Sequence, residues 1–250
     1  MSILGIIPAR YASTRFPGKP LIDINGRSMI LRVYDQALLS EVLEEVLVAT
    51  DDNRIFDHVT SAGYHAVMTS QKHRSGTERC LEALETWEHD HGRKYDHVIN
   101  IQGDEPYIHP EQIKIVASLL TKGDNIRLAT LAKLITRREE IYNPNVVKVV
   151  FNQEMNAMYF SRSPIPYLRD VSDIQWTKKR AHYKHIGIYG FSADALKVVC
   201  GLPEGILEKH ESLEQLRWLE HGMQIRLDLT GLESIAIDTP DDLSKITNTA

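Results

Sequence analysis

The sequence predicts an α/β fold: a mixed, mostly parallel sheet with flanking helices and an antiparallel extension. Short β-rich runs at residues 3–7, 46–49, 64–68 and 98–101 alternate with amphipathic stretches, which is the order of βαβ units. Ile30, Tyr34, Ala37 and Leu38, and then Ile113, Val116, Ala117 and Leu120, each fall on one helical face that could cover a sheet. Residues 145–191 break the pattern. There "VVKVVF", "AMYFSR" and "HIGIYGF" read as strands without ordinary crossover helices between them, so this stretch is expected to form an antiparallel extension or small subdomain within a single domain spanning 1–250.

Boundary signals follow in chain order. A Gly- and Pro-bearing loop succeeds the first strand, and a helix begins near Ser28. Ser75 precedes Glu78 by three positions, as in a capping box. The segment "SPIPYLRDVSDIQWTKKRAHYK" has prolines and mixed charge but no period, and is read as an excursion. Gly222 is placed to end a helix, and Thr239-Pro240 to start the last one.

Composition narrows the function. With 250 residues, 42% hydrophobic and 25% charged, the chain is ordinary for a globular protein, and its net charge of -5 argues against a nucleic-acid binder. Cys80 and Cys200 are far apart and form no CxxC, which fits a reducing cytoplasm rather than a disulfide scaffold or zinc site. No apolar run approaches the roughly 20 residues of a membrane span, and residues 3–8 are too short for a signal segment. A cytoplasmic location, with no membrane insertion, is the expectation.

Four stretches could carry chemistry. "IIPARYASTRFPGKPLIDING" puts Arg10, Arg15 and Lys19 on the loop after the first strand, at the sheet edge where α/β folds bind ligands. Charge alone does not separate a triphosphate site from a solvated loop. It is not a Walker A loop. "INIQGDEP" delivers Gln102 and Asp104 just past a strand end, where a carboxylate can hold Mg²⁺ together with substrate phosphates. Asp238 ends another strand in "SIAIDTPDDL" and could share that cation, or merely cap the next helix. "HRSGTER" places Arg74 and Ser75 at a helix N-terminus, where free amides favour an anion or a base edge. Further on, Arg162 ends a strand, His185 and Tyr189 share a strand face, and Glu211, Glu214, Gln215 and Trp218 form a polar helical stripe whose default partner is water.

In order along the chain, "IPARYASTRFPGKPL", "SGTER", "NIQGDEP", "NPNVVKVV", "YFSRSPIPY", "HIGIYGF", "LEQLR" and "IDTPDDL" closely resemble the 3-deoxy-manno-octulosonate (Kdo) cytidylyltransferases. The resemblance implies a Rossmann-like sheet of the nucleotide-diphospho-sugar transferase type, with homodimers formed through the antiparallel extension. It implies transfer of CMP from CTP to the anomeric hydroxyl of Kdo for lipopolysaccharide synthesis, with Mg²⁺ required. By position, Arg10, Arg15 and Lys19 would hold phosphates, with Arg74, Ser75 and Gln102 on the nucleotide and Asp104 and Asp238 on the metal. Gln102, Arg162, His185, Tyr189, Glu214 and Gln215 would face the sugar, with Arg162 on the Kdo carboxylate. Arg10, Lys19, Asp104 and Asp238 would carry catalysis. Phe16 stands where leucine is commoner in the family's loop. The alternatives are a cytidylyltransferase for another acidic sugar, such as sialic acid or an amino-Kdo analogue, a non-catalytic nucleotide-binding regulator, and a glycosyltransferase. The last would show a DxD, which "GDEP" is not.

Overall fold

The computed structural model describes residues 1–12, 16–122, 126–233, 236–237 and 242. Strand β1 (Ile3–Ala9) opens the chain. A 3₁₀ turn at Lys19–Leu21 and a small hairpin of β2 (Asp23–Ile24) and β3 (Arg27–Ser28) lead into α1 (Met29–Leu38). There follow β4 (Glu45–Thr50), α2 (Asn53–Ser61), β5 (Ala66–Met68), α3 (Gly76–His91), β6 (His97–Asn100), α4 (Pro110–Lys122), β7 (Leu128–Leu134) and α5 (Arg138–Tyr142). The rest comprises β8 (Lys148–Phe151), β9 (Ala157–Ser161), a 3₁₀ segment at Asp173–Lys179, β10 (Tyr183–Ser192), α6 (Ala193–Gly201), α7 (Ile206–Glu211), α8 (Glu214–Glu220) and β11 (Arg226–Leu229).

The strands form one mixed sheet in the order β11-β7-β10-β6-β1-β4-β5, with β8 and β9 branching from β10. β1 lies parallel to both β4 and β6, so the polypeptide leaves all three at the same edge. Apolar clusters fill both faces. Cys80, Leu84, Phe191 and Trp218 belong to one, and Ile30, Val33, Ile55 and Ile113 to the other, giving three layers. The two faces predicted for α1 and α4 are buried, apart from Leu38 at the exposed end of α1.

The extension differs from the expected subregion in one respect. β10 is not confined to it: Tyr189–Ser192 pair with β6 while the whole strand runs beside β7. Its first residues, Tyr183 and Lys184, instead pair with β8, which turns back into β9. β8 thus takes over from β6 along the same side of β10, just beyond the carboxyl end of β6. A bulge between Ile186 and Tyr189 marks the handover.

The excursion is anchored by Trp176, which packs with Ile135 and Ile141. Gly222, with φ 77, follows the C-cap of α8 as the sequence led us to expect. Thr239 and Pro240 lie outside the described residues.

Candidate active site

Three chain segments meet where β1, α3 and β6 converge. Arg10 and Lys19 come from the first loop, His73 to Arg79 from the entry of α3, and Gln102 to Asp104 from the end of β6. They line a cleft of about 240 Å³. Lys19 reaches it because Gly18, at φ 73, turns the chain into the 3₁₀ segment with Pro20 behind it. The Lys19 ammonium lies 2.9 Å from Asp104 Oδ2. Gly103 lets the two loops touch: a Cβ there would stand 2.7 Å from the Pro8 carbonyl oxygen.

The last wall is the N-terminus of α3. Ser75 caps it by accepting from the Glu78 amide, 3.2 Å. Only half of the expected capping box forms, because the Glu78 carboxylate accepts from the Arg74 amide instead. Ser75 Oγ also donates to Glu214 Oε1 (2.8 Å) and Thr77 Oγ1 to Glu214 Oε2 (2.6 Å), tying α8 to this terminus. Desolvation raises the Glu214 carboxyl above its usual range, while the Thr77 and Ser75 hydroxyls and Arg217 oppose that shift.

The polar stripe of the α8 region therefore does not face water. Ser212, at φ 51, breaks the chain into α7 and α8. Gln215 and Trp218 are buried, and Glu211 turns to Arg162 and Ser161. Beyond β6, Gln102 Nε2 donates to the Gly187 carbonyl in the bulge (3.0 Å). His185 and Tyr189 share a face as read from the sequence, with ring centroids 5.1 Å apart. His185 Nε2 lies 2.9 Å from Thr130 Oγ1, and desolvation pushes its pKa down to about 3. Burial likewise drives the Tyr189 phenol well up.

Arg162, just past the end of β9, lies among main-chain oxygens. Its guanidinium donates to the carbonyls of Glu211, Pro144 and Ser212. Beside it Lys148, fully buried, donates to the carbonyls of Asn143, Val146 and Arg162. Burial holds the Lys148 ammonium below its ordinary pKa, with Glu211 opposing.

Arg15 and Asp238 lie outside the described residues. The Ile237 amide, next in chain to Asp238, donates to the Asp104 carbonyl (2.9 Å). Among the lining residues that escaped the sequence reading is Arg79, which is buried, bonded to Thr69 and Asp51, and faces the cleft. An arginine four residues before Ala83 on the buried stripe of α3 was its signal.

Asp104 is the one predicted metal carboxylate whose position is described. Among the described residues no group of three or more His, Cys, Asp and Glu could hold a metal ion. A carboxylate beside cations, as Asp104 is beside Lys19, suits Mg²⁺, which takes one or two carboxylates plus phosphate oxygens. The donor set fits that ion.

The cytidylyltransferase family model matches residues 4–225. Over 98% of this chain and 96% of the relative, the sequence is 51% identical to the 3-deoxy-manno-octulosonate cytidylyltransferase of Parabacteroides distasonis. It is 49% identical to that of Cytophaga hutchinsonii, over 100% and 98%. A solved CMP:2-keto-3-deoxy-manno-octonic acid synthetase complexed with CTP superposes with TM-score 0.90 at 40% identity, covering 100% of this chain and 98% of that one. A cytidylyltransferase from Leptospira borgpetersenii, at 15% identity and TM-score 0.63, shares the fold. With that cleft and these relatives over its full length, the chain belongs to the 3-deoxy-manno-octulosonate cytidylyltransferase family.

Proposed function

We propose that this chain couples CTP to Kdo, giving CMP-Kdo and pyrophosphate, the activated sugar used in lipopolysaccharide assembly. The observation that carries the reading is the meeting of Arg10, Lys19, the α3 N-terminus and Asp104 in one cleft. It is a site with a cationic half for polyphosphate and an anionic half for a divalent cation.

Because no covalent nucleophile is needed, catalysis rests on position and charge. The anomeric hydroxyl attacks the α-phosphorus in line with the departing pyrophosphate. Arg10, Lys19 and, from the family pattern, Arg15 take the negative charge that builds on the leaving group. Asp104 and, by the same pattern, Asp238 would hold Mg²⁺. When bound, that ion neutralises phosphate charge and acidifies the attacking hydroxyl. The Lys19–Asp104 pair presents each half of the site with its complement. By the family pattern, Arg74, Ser75 and the α3 amides behind them would meet the nucleotide. By the same pattern Gln102, Arg162, His185, Tyr189, Glu214 and Gln215 would form the sugar side, and His185 stays neutral there.

No helix among the described residues is long and apolar enough to cross a membrane, and both cysteines are free. A cytoplasmic enzyme fits these features. The β8–β9 extension is the surface through which two copies would pair.

The deciding assay is pyrophosphate release by the purified chain with Mg²⁺, comparing CTP with ATP, GTP and UTP, and Kdo with sialic acid. Turnover only with CTP and Kdo is expected. Equal or better turnover with sialic acid would overturn the sugar assignment.

A further inference from the structure

Asn100, the last residue of β6, is 3% exposed, yet its Oδ1 has no hydrogen-bond partner among the described residues. Directly across the antiparallel pairing stands Tyr189, 7% exposed, whose hydroxyl is also unpartnered. Residues opposed in this way share a sheet face, so these two buried side chains, each with an unpaired polar atom, are cross-strand neighbours. Buried polar atoms are nearly always paired, and two adjacent exceptions point to a missing partner.

The location narrows that partner. Asn100 Nδ2 lies 3.8 Å from where a Cβ on Gly76 would stand. Gly76 and Pro8, which line the cleft, are also in contact by that measure. Asn100 thus sits directly behind Gly76, a residue that lines the cleft. On the other side, Glu214 links Ser75 and Thr77 to α8 and its charge is felt at Tyr189. An amide and a phenol offer donors and acceptors without net charge. They complement a hydroxyl rather than a phosphate or carboxylate, which would draw a cation.

We infer that Asn100 is a specificity-determining residue: with Tyr189, it hydrogen-bonds one hydroxyl of the sugar substrate. This rests on the reading of the substrate as Kdo. A site built to bond a hydroxyl rejects an analogue lacking it, because its own buried groups are then left unpaired.

The test compares the native chain with Asn100→Leu and Asn100→Ser, measuring pyrophosphate release with CTP and either Kdo or Kdo analogues each lacking one hydroxyl. For the native chain, one analogue should lose about tenfold or more in kcat/KM. In Asn100→Leu, Kdo itself should fall by a similar factor while that analogue falls no further, and KM for CTP should stay within about twofold. Asn100→Ser, with a smaller polar group, should recover part of the discrimination and carries the same comparison if the leucine variant does not fold. A parallel loss for Kdo and every analogue, or no loss at all, overturns the Asn100 assignment alone. Failure of the native chain to turn over Kdo overturns the functional reading beneath it.

Discussion

Asp104 and Lys19 hold opposite charges 2.9 Å apart in the cleft proposed to accept a polyphosphate and its cation. Asp104→Asn keeps the shape and removes the anionic half of the site. Turnover should fall by several orders of magnitude with the fold intact, checked by steady-state pyrophosphate release at saturating Mg²⁺ alongside circular dichroism. Near-normal rates would remove Asp104 from the site. His185 makes a prediction in stability. Its folded-state pKa of about 3 lies below the usual histidine value near 6.5. Between those values the unfolded chain binds a proton that the native chain does not. The stability tied to neutral His185 is therefore complete above about pH 6.5 and declines as pH falls toward 3, by up to about 1.4 kcal/mol per unit. Urea denaturation from pH 7 to 5 should show His185→Gln with a shallower decline than the native chain. At this scale the sequence was legible where charge met a strand end: the convergence of Arg10, Lys19 and Asp104 on one cleft was readable. Arg162 and Arg79 were not, because which carbonyls or carboxylates surround an arginine depends on chain segments tens of residues away.

The entry of α3 is held from two directions, by its own cap and by Glu214 from α8. Ser75→Ala removes both the cap and one link to Glu214. It should lower stability by about 1 kcal/mol in urea denaturation and weaken CTP binding in titration calorimetry. Unchanged CTP affinity would mean that the helix terminus is structural only. Lys148 does comparable work for the extension, joining the carbonyls of Asn143, Val146 and Arg162. Lys148→Met leaves those oxygens without a donor and should cost about 3 kcal/mol or more, read as a lower urea midpoint. A local reading missed this element: "NPNVVKVV" displays a strand with a charge in it, whereas three carbonyl partners exist only after β8, β9 and the preceding turn have come together.

Across the molecule, β9 pairs with β8 alone among the described strands, its first residue Ala157 also donating to the Ile225 carbonyl, and Met158 on it is 64% exposed. Sheet margins with exposed apolar side chains invite another chain. Sedimentation velocity should give a particle of twice the chain mass, and Met158→Lys should shift it toward monomer. A native monomer at micromolar concentration would remove the dimer assignment. Fold class was visible early because βαβ alternation and one-sided helices are local patterns with global meaning. The placement of β10 was not, since one strand serving two partners on the same side leaves no trace in its own alternation of residues.

The contact of Gly103 with Pro8 bears on how the site could drift over time. Loops can usually lengthen or change composition at little expense, but here one hydrogen atom sets the gap between the lysine-bearing segment and the aspartate-bearing one. Any side chain at 103 would have to push the two strand ends apart. A chain so altered could still fold, yet Lys19 and Asp104 would no longer meet across one cleft. Variation in the surrounding residues is thus tolerable only so long as this backbone-to-backbone spacing is kept, which makes position 103 a geometric constraint on every other member of the site.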